Sequence, residues 1–474
     1  MSEARVKIVA TLGPASGSVD GITALLRAGA DVVRVNGAHA PAERLAGVVR
    51  RVRAAGRRVG REVAVLLDLP GVKLRCGRLP DGRLVLRTGD VVGLARGTGR
   101  GPGPVVPVPA AVLAAARPGR EVLFADGTVA ARVVDVRGGV ARARVEAGGE
   151  LRERAGVHVR GARHRGVVVT ALDLALARAG VAAGVDAVAV SFVRGPHDLD
   201  RVRRELTRAG RVPLLVAKLE RLEAVEALDA VLEACDGVMV ARGDLGLEAG
   251  PERVPGLQKR ILEAASRHGR FAITATQMLE SMTTAVRPTR AEASDVANAV
   301  FDGSDAVMLS GETAVGAHPA TVVETMDRIL VAAEADPHCP YAGDPRIPGP
   351  AADPRRPDRL VVRTAVRLAT EAAAAAVVVF TRGGHSARRI AKERPRAPVY
   401  AYAPDLGVMR GLLLSWGVRP RHLPARRSTD ETIRAVLASL RREEGLSRGD
   451  RVVLAMGGAE DPAGTTSLVK LLTL

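Results

Sequence analysis

Residues 187–244 read AVAVSFVRGPHDLDRVRRELTRAGRVPLLVAKLERLEAVEALDAVLEACDGVMVARGD. Three short apolar runs stand out: AVAVSFV from Ala187, LLVAKLE from Leu214 and GVMVARG from Gly237. They are apolar on successive residues rather than alternate ones, as strands buried on both faces of a parallel sheet require. Helical texture fills the intervals, including LEAVEALDAVLEA from Leu222 to Ala234. The same alternation recurs outward. KIVATL begins at Lys7, VVRVN at Val32 and VAVLLD at Val63; FAITAT begins at Phe271 and AVMLSG at Ala306, with a helical stretch from Ser294 between those two. Eight βα units in succession predict a (β/α)8 TIM barrel, with an open doubly wound α/β sheet as the alternative.

One interval breaks the rhythm. Val63 to Ala187 spans 124 residues, whereas the other strand starts lie 23 to 35 apart. An ordinary unit leaves a surplus of about 90 residues there. That surplus, Leu69 to Gly161, is rich in Val and Arg and carries the turn signals PDG, TGD, ADG, RGG and AGG. It predicts an all-β domain inserted after the third strand. Helical texture resumes at Thr170-Ala-Leu-Asp173, a capping-box pattern. Pro337 to Asp358 is rich in Pro and Asp and reads as a linker. Beyond it, AAAAAVVVF, TRGGHSARRIAKERP and VVLAMGG mark a further α/β segment. The expected division is a barrel from 1–68 and 162–336, an inserted domain at 69–161, a linker at 337–358 and a C-terminal α/β domain at 359–474.

Of the 474 residues, 47% are hydrophobic and only 2% aromatic, so Val, Leu, Ala and Ile fill the interior. No apolar run approaches the roughly 18 residues that span a bilayer, and the start, MSEARVKIVATLGPAS, has no leader-like apolar region. Three scattered cysteines, Cys76, Cys235 and Cys339, make no disulfide framework and fit a reducing cytoplasm. The net charge is +18. Six of the 70 basic residues are lysine; the arginines run the whole length, and nine Phe, Tyr and Trp offer few stacking platforms. The balance reads as compositional bias with attraction for anionic substrates, not as a nucleic-acid surface.

Chemistry in such a barrel collects at the C-terminal ends of the strands. Here those ends carry Arg34 and Asn36, Asp68, Ser191, Lys218 and Glu220, Arg242-Gly243-Asp244, Thr276, and Ser310 with Glu312. A solvated end explains one such residue, but not seven strands in agreement. Lys218 and Glu220 are two apart on one strand and share a face. A salt-bridged strand end is one reading. A cation for an anionic substrate, beside a carboxylate for a metal, is the other. Asp244 on the next strand adds a second carboxylate, and two carboxylates suit Mg2+, which keeps several sites for water and phosphate. The pattern predicts phosphoryl-transfer or enolate chemistry without naming the substrate.

The stretches KIVATLGPAS (7–16), KLE (218–220), DGVMVARGDLG (236–246), ATQMLESM (275–282), RPTRAEASDVANAVFDGSDAVMLSGETA (287–314) and GTTSLVK (464–470) together resemble pyruvate kinase over nearly the whole chain. The resemblance implies transfer of the phosphoryl group of phosphoenolpyruvate to ADP, giving ATP and an enolate that is then protonated to pyruvate. It implies that Lys218 steadies the moving group and that Glu220 and Asp244 hold Mg2+ or Mn2+. Gly243 offers its N–H to the substrate carboxylate, and Thr276 stands near the methylene carbon. Arg34 and Arg75 bind phosphate, His39 remains for nucleotide contact, and the inserted domain closes as a lid. It also implies a cytoplasmic homotetramer with no membrane or nucleic-acid partner. Thr381 to Ser386 resembles a loop for a sugar-phosphate or nucleotide effector, although a capped strand–turn–helix junction explains it equally well.

Two departures stand out. Where many members bind K+, Asn36 and Asp68 match, but Ala38 and Leu69 replace a Ser and a Thr. A family Glu is Lys73, a change of two charge units, each worth about 4 kcal/mol at about 4 Å with an effective dielectric near 20. Lys73 is therefore expected to substitute for K+; a solvated lysine at the lid edge is the alternative. A hinge Lys of the family is Leu172, which removes one ADP contact. A catalytically weak paralogue acting as a metabolite sensor, and another Mg2+-dependent barrel enzyme of oxo-acid enolates such as an aldolase, are the competing functions.

Overall fold

The apolar runs become eight parallel strands: β1 (Lys7–Thr11), β2 (Val32–Asn36), β3 (Ala64–Asp68), β4 (Ala187–Val190), β5 (Leu214–Leu219), β6 (Gly237–Ala241), β7 (Phe271–Ala275) and β8 (Ala306–Leu309). They close in the order β1-β8-β7-β6-β5-β4-β3-β2, the seam pairing Lys7 with Ala306 and Ala10 with Leu309. This computed structural model describes residues 4–97, 103–163, 166–210, 212–341, 357–457, 461 and 465–474. Both strand faces are buried, which is why the runs are continuously apolar. Val9, Leu66, Val216, Met239 and Ile273 fill the barrel interior, while Ile8, Val33, Val65, Leu215 and Val238 pack outward on the helices. Gly237 leaves room for the Phe271 ring; a Cβ there would lie 2.4 Å from it.

The helices follow the sequence with two differences. Thr170 and Asp173 cap the helix Ala171–Ala183 in the expected box. The stretch read as one helix from Leu222 is two, Leu222–Glu226 and Leu228–Ala234, separated where Ala227 adopts φ −96°, ψ 28°. The helix expected from Ser294 runs Arg290–Phe301, because a second capping box, Thr289 with Glu292, starts it a turn earlier.

The insertion after β3 forms a six-stranded sheet and a two-stranded ribbon around its own core, which includes Val92, Val106, Phe124, Val133 and Leu151. It is not wholly β: AAVLAA forms the helix Ala110–Ala115 after Pro109, since alanine and leucine favour helix more than strand. In the C-terminal segment, β9 (Ala376–Phe380), β10 (Val399–Ala403), β11 (Val418–His422), β12 (Arg451–Met456) and β13 (Leu468–Thr473) make a sheet in the order β11-β10-β9-β12-β13, with only β13 antiparallel. Residues 342–356 of the expected linker lie outside the described residues; helix resumes at Pro357.

The C-terminal segment seals the base of the barrel. Leu413 and Leu414 join the interior core beside Val9 and Ala306. Lys392, at the end of helix His385–Lys392, and Arg394 reach the buried carboxylate of Asp305, just before β8, with Arg394 at 3.6 Å. The base is thus occupied, and the opposite end faces the inserted domain.

Candidate active site

Parallel pairing brings the polar strand ends to one rim. Arg34 ends against Asp68 across the β2–β3 pair, with Nη2 2.7 Å and Nε 2.8 Å from Oδ2, and Nη1 donates to Thr11 Oγ1 at 3.1 Å. On β5, Lys218 Nζ donates to Ser191 Oγ at 2.8 Å and sits 2.9 Å from Glu220 Oε1 and 3.2 Å from Asp68 Oδ1. Ser191 in turn donates to the Leu69 carbonyl at 2.7 Å. The shared face expected of Lys218 and Glu220 is realised. Burial by itself would push the Lys218 ammonium down, but Asp68 and Glu220 more than offset it and hold the pKa above the usual lysine value. Burial likewise favours a neutral Asp68, and the Lys218 and Arg34 cations overcome it, so its carboxyl lies below the usual range.

Glu220 behaves differently. Only 2% exposed, it accepts the Phe192 N–H at 2.5 Å. Burial pushes its carboxyl up; Lys218 opposes this, and the charge of Asp244 adds to it. Glu220 and Asp244 line one small cavity at the rim. Two carboxylates on one cavity, one of them deeply buried, are donors of the kind that a hard divalent cation such as Mg2+ takes.

That cavity is closed from above by the inserted domain. Lys73 Nζ donates to Asp126 Oδ1 at 2.9 Å and to Asp244 Oδ1 at 3.2 Å, joining the insertion to the barrel. Burial lowers the Lys73 pKa; Asp244 and Asp126 reverse the sign and hold it above normal. The ammonium thus lies on Asp244 rather than on Asn36 or Asp68. Asn36 Oδ1 accepts the Ala38 N–H at 3.1 Å.

Backbone strain concentrates here. Phe192 (φ 56°), Thr276 (φ 70°) and Gln277 (φ 54°) are left-handed residues other than glycine, each costing about 1–3 kcal/mol. Thr276 Oγ1 donates to its neighbour's carbonyl, Ala275 O, at 2.6 Å and accepts the Gly243 N–H at 2.9 Å. The N–H expected to meet a substrate carboxylate therefore already faces the threonine hydroxyl.

Other expected residues stand apart. Arg75 lies on the insertion, exposed, with Nη1 on the Arg154 carbonyl at 3.0 Å, and His39 is exposed on the loop after β2. Leu172 is 60% exposed at the hinge. Thr381 and Ser386 are buried at a cavity of about 270 Å³ that Arg382, Arg426 and Arg427 also line. Sequence reasoning missed Asp126, whose ADG triplet signals only a turn, and Thr11, which carries no charge or motif of its own.

Comparison with known sequences agrees with the geometry. A profile described as pyruvate kinase, barrel domain, matches residues 3–323, and one described as pyruvate kinase, alpha/beta domain, matches residues 359–472. The chain is 39% identical to a pyruvate kinase of Corynebacterium efficiens over 468 residues, covering 98% of this chain and 97% of that one. It is 40% identical to a pyruvate kinase of Mycobacterium tuberculosis over 467 residues, with the same coverage. A pyruvate kinase of Geobacillus stearothermophilus is 37% identical over 473 residues, 98% of this chain and 80% of that one. Near-complete coverage at this identity, together with a phosphate-suited rim and an insertion over it, makes this chain a phosphotransferase of the pyruvate kinase family.

Proposed function

We propose that this protein transfers the phosphoryl group of phosphoenolpyruvate to ADP, as a glycolytic enzyme that works without K+. The observation that carries this reading is the buried Lys218 ammonium, fixed by Asp68, Ser191 and Glu220 on the same rim as a second carboxylate, Asp244. Phosphoryl transfer needs little covalent help from the protein; it needs alignment and charge neutralisation. Lys218 supplies a fixed positive charge for the moving group, and Arg34, held square by Asp68 and Thr11, supplies another. Glu220 and Asp244 hold Mg2+ or Mn2+, which when bound neutralises charge on the reacting oxygens. Gly243 offers its N–H to the carboxylate of the substrate, and Thr276 orients the end of the site where the enolate carbon takes its proton. Arg75 and His39 meet the nucleotide when the insertion closes as a lid, and closure excludes water from the phosphoryl group.

Lys73 stands in for the monovalent cation. Its ammonium reaches the site from the lid edge at Asp126 and Asp244, apart from Asn36 and Asp68, which are what remains of the family's K+ set. A phosphate-bearing effector binds at Thr381 and Ser386, where three arginines line the cavity. We further propose a cytoplasmic homotetramer, as the resemblance implies. Among the described residues no helix is long and apolar enough to cross a membrane, and all three cysteines are buried and free.

The deciding experiment is a coupled pyruvate-formation assay with phosphoenolpyruvate, ADP and Mg2+, run with and without K+ and with a panel of sugar phosphates. Turnover in K+-free buffer is the expected result. Absence of turnover under every condition rejects the catalytic reading in favour of a sensor; turnover only on adding K+ rejects the role given to Lys73.

A further inference from the structure

One side chain holds the strained turn on which Thr276 stands. Thr276 and Gln277 are consecutive left-handed residues, and a β-branched residue resists that conformation strongly. Their carbonyls both meet Arg242. Its Nη2 lies 2.7 Å and its Nε 3.2 Å from Thr276 O, and Nη2 is 3.3 Å from Gln277 O. The guanidinium is clamped in turn by Asp295 on helix Arg290–Phe301, with Nη1 2.7 Å from Oδ1 and Nη2 2.7 Å from Oδ2. The Arg242 side chain is only 9% exposed. Arg242 also immediately precedes Gly243, whose N–H donates to Thr276 Oγ1. A single residue therefore fixes both ends of the Gly243–Thr276 contact.

We infer that Arg242 is a positioning residue for the protonation half of the reaction: it holds the turn at Thr276 and Gln277 and so sets the Thr276 hydroxyl at the carbon of the enolate. This rests on the proposed function. In that half-reaction a solvent-derived proton forms a C–H bond at the methylene carbon while the enolate C–O becomes C=O. The planar fork of an arginine can serve both carbonyls and the carboxylate at once; a lysine brings one compact charge and cannot. Lys218 and Glu220 make no hydrogen bond to Arg242, so phosphoryl transfer is affected less than protonation.

Arg242→Lys and Arg242→Gln test this, and the Lys variant keeps the charge should the Gln variant fold poorly. The first readout is exchange of the pyruvate methyl hydrogens with deuterated water, followed by NMR with pyruvate, Mg2+ and ATP. Exchange is expected to fall by about 100-fold in both variants, the scale of a misplacement of about 1 Å. kcat is expected to fall with it while KM for ADP stays within about threefold. The second readout is the Thr276 methyl resonance of the protein without substrate, which is expected to shift in Arg242→Lys as the turn relaxes. An unshifted resonance, or exchange and turnover at the wild-type rate in Arg242→Lys, overturns the inference. A wild-type protein without turnover instead overturns the reading on which it rests.

Discussion

Lys218 concentrates the chemistry of the rim, and its removal has two separable effects. Lys218→Met is expected to lower turnover with phosphoenolpyruvate and ADP by about 10²- to 10³-fold or more, measured in the coupled assay. It also leaves Glu220 buried beside Asp244 without its cation, while Arg34 still holds Asp68. The variant is therefore expected to melt roughly 5–10 °C lower with an unchanged circular dichroism spectrum; turnover within a few-fold of wild type removes Lys218 from its role. This pair was legible because two residues apart on a strand means one face, and charge on a strand end is conspicuous. Ser191 was legible as a polar strand end, and Asp244 from its charge, although it stands in the first turn of the helix Arg242–Ala249 rather than on the strand. Asp126 was not, since its partner Lys73 is 53 positions away and only the closed fold brings them together. The role of Arg242 was hidden too: its acceptors on the turn are backbone carbonyls, and a left-handed turn at Thr-Gln has no sequence signature.

Between the barrel and its insertion, the segment carrying Lys73 acts as a hasp. Its ammonium holds Asp126 on one side and Asp244 on the other. Lys73→Glu places a third carboxylate between those two, and mutual repulsion opens the junction. The expected outcome is at least a tenfold (about 1.4 kcal/mol) loss of turnover in K+-free buffer, with recovery as K+ is added. A variant as active as wild type without K+ shows that the lysine does not replace the ion. Leu172→Lys, on the hinge helix, is expected to lower KM for ADP by about threefold with kcat unchanged, because a cation returns near the nucleotide diphosphate; an unaltered KM rules the contact out. The insertion itself was plain from strand spacing, which reports chain length between strands directly. Its short helix was not, because six residues of helical propensity inside Val- and Arg-rich strands fall below the length at which periodicity speaks.

At the scale of the molecule, the join between the barrel and the C-terminal segment is itself titratable. Glu393, only 8% exposed, lines an interdomain cavity with Arg267, Arg359, Arg389 and Lys392. Burial lifts its carboxyl to about 7, with Arg363 opposing the shift. The unfolded chain releases that proton near pH 4.3. The native state then holds a proton that the unfolded state has lost, so stability declines as pH climbs between these values and levels off above about 7. Glu393→Gln is expected to melt a few degrees above wild type at pH 8 and nearly with it at pH 5, as scanning calorimetry can check. Equal melting at pH 8 contradicts a Glu393 carboxyl raised by burial. The barrel, its insertion and the α/β tail were all foreseeable from alternating texture, whereas the Lys392–Asp305 contact that locks two of them joins residues 87 positions apart that only the fold brings together. The same join has a cost during synthesis. The last barrel strand ends at Leu309, but Leu413 and Leu414, which stopper its floor, leave the ribosome about 100 residues later. At about 5–20 residues per second, a nascent barrel waits roughly 5–20 s with a greasy socket open to its neighbours, the interval in which a chaperone matters most.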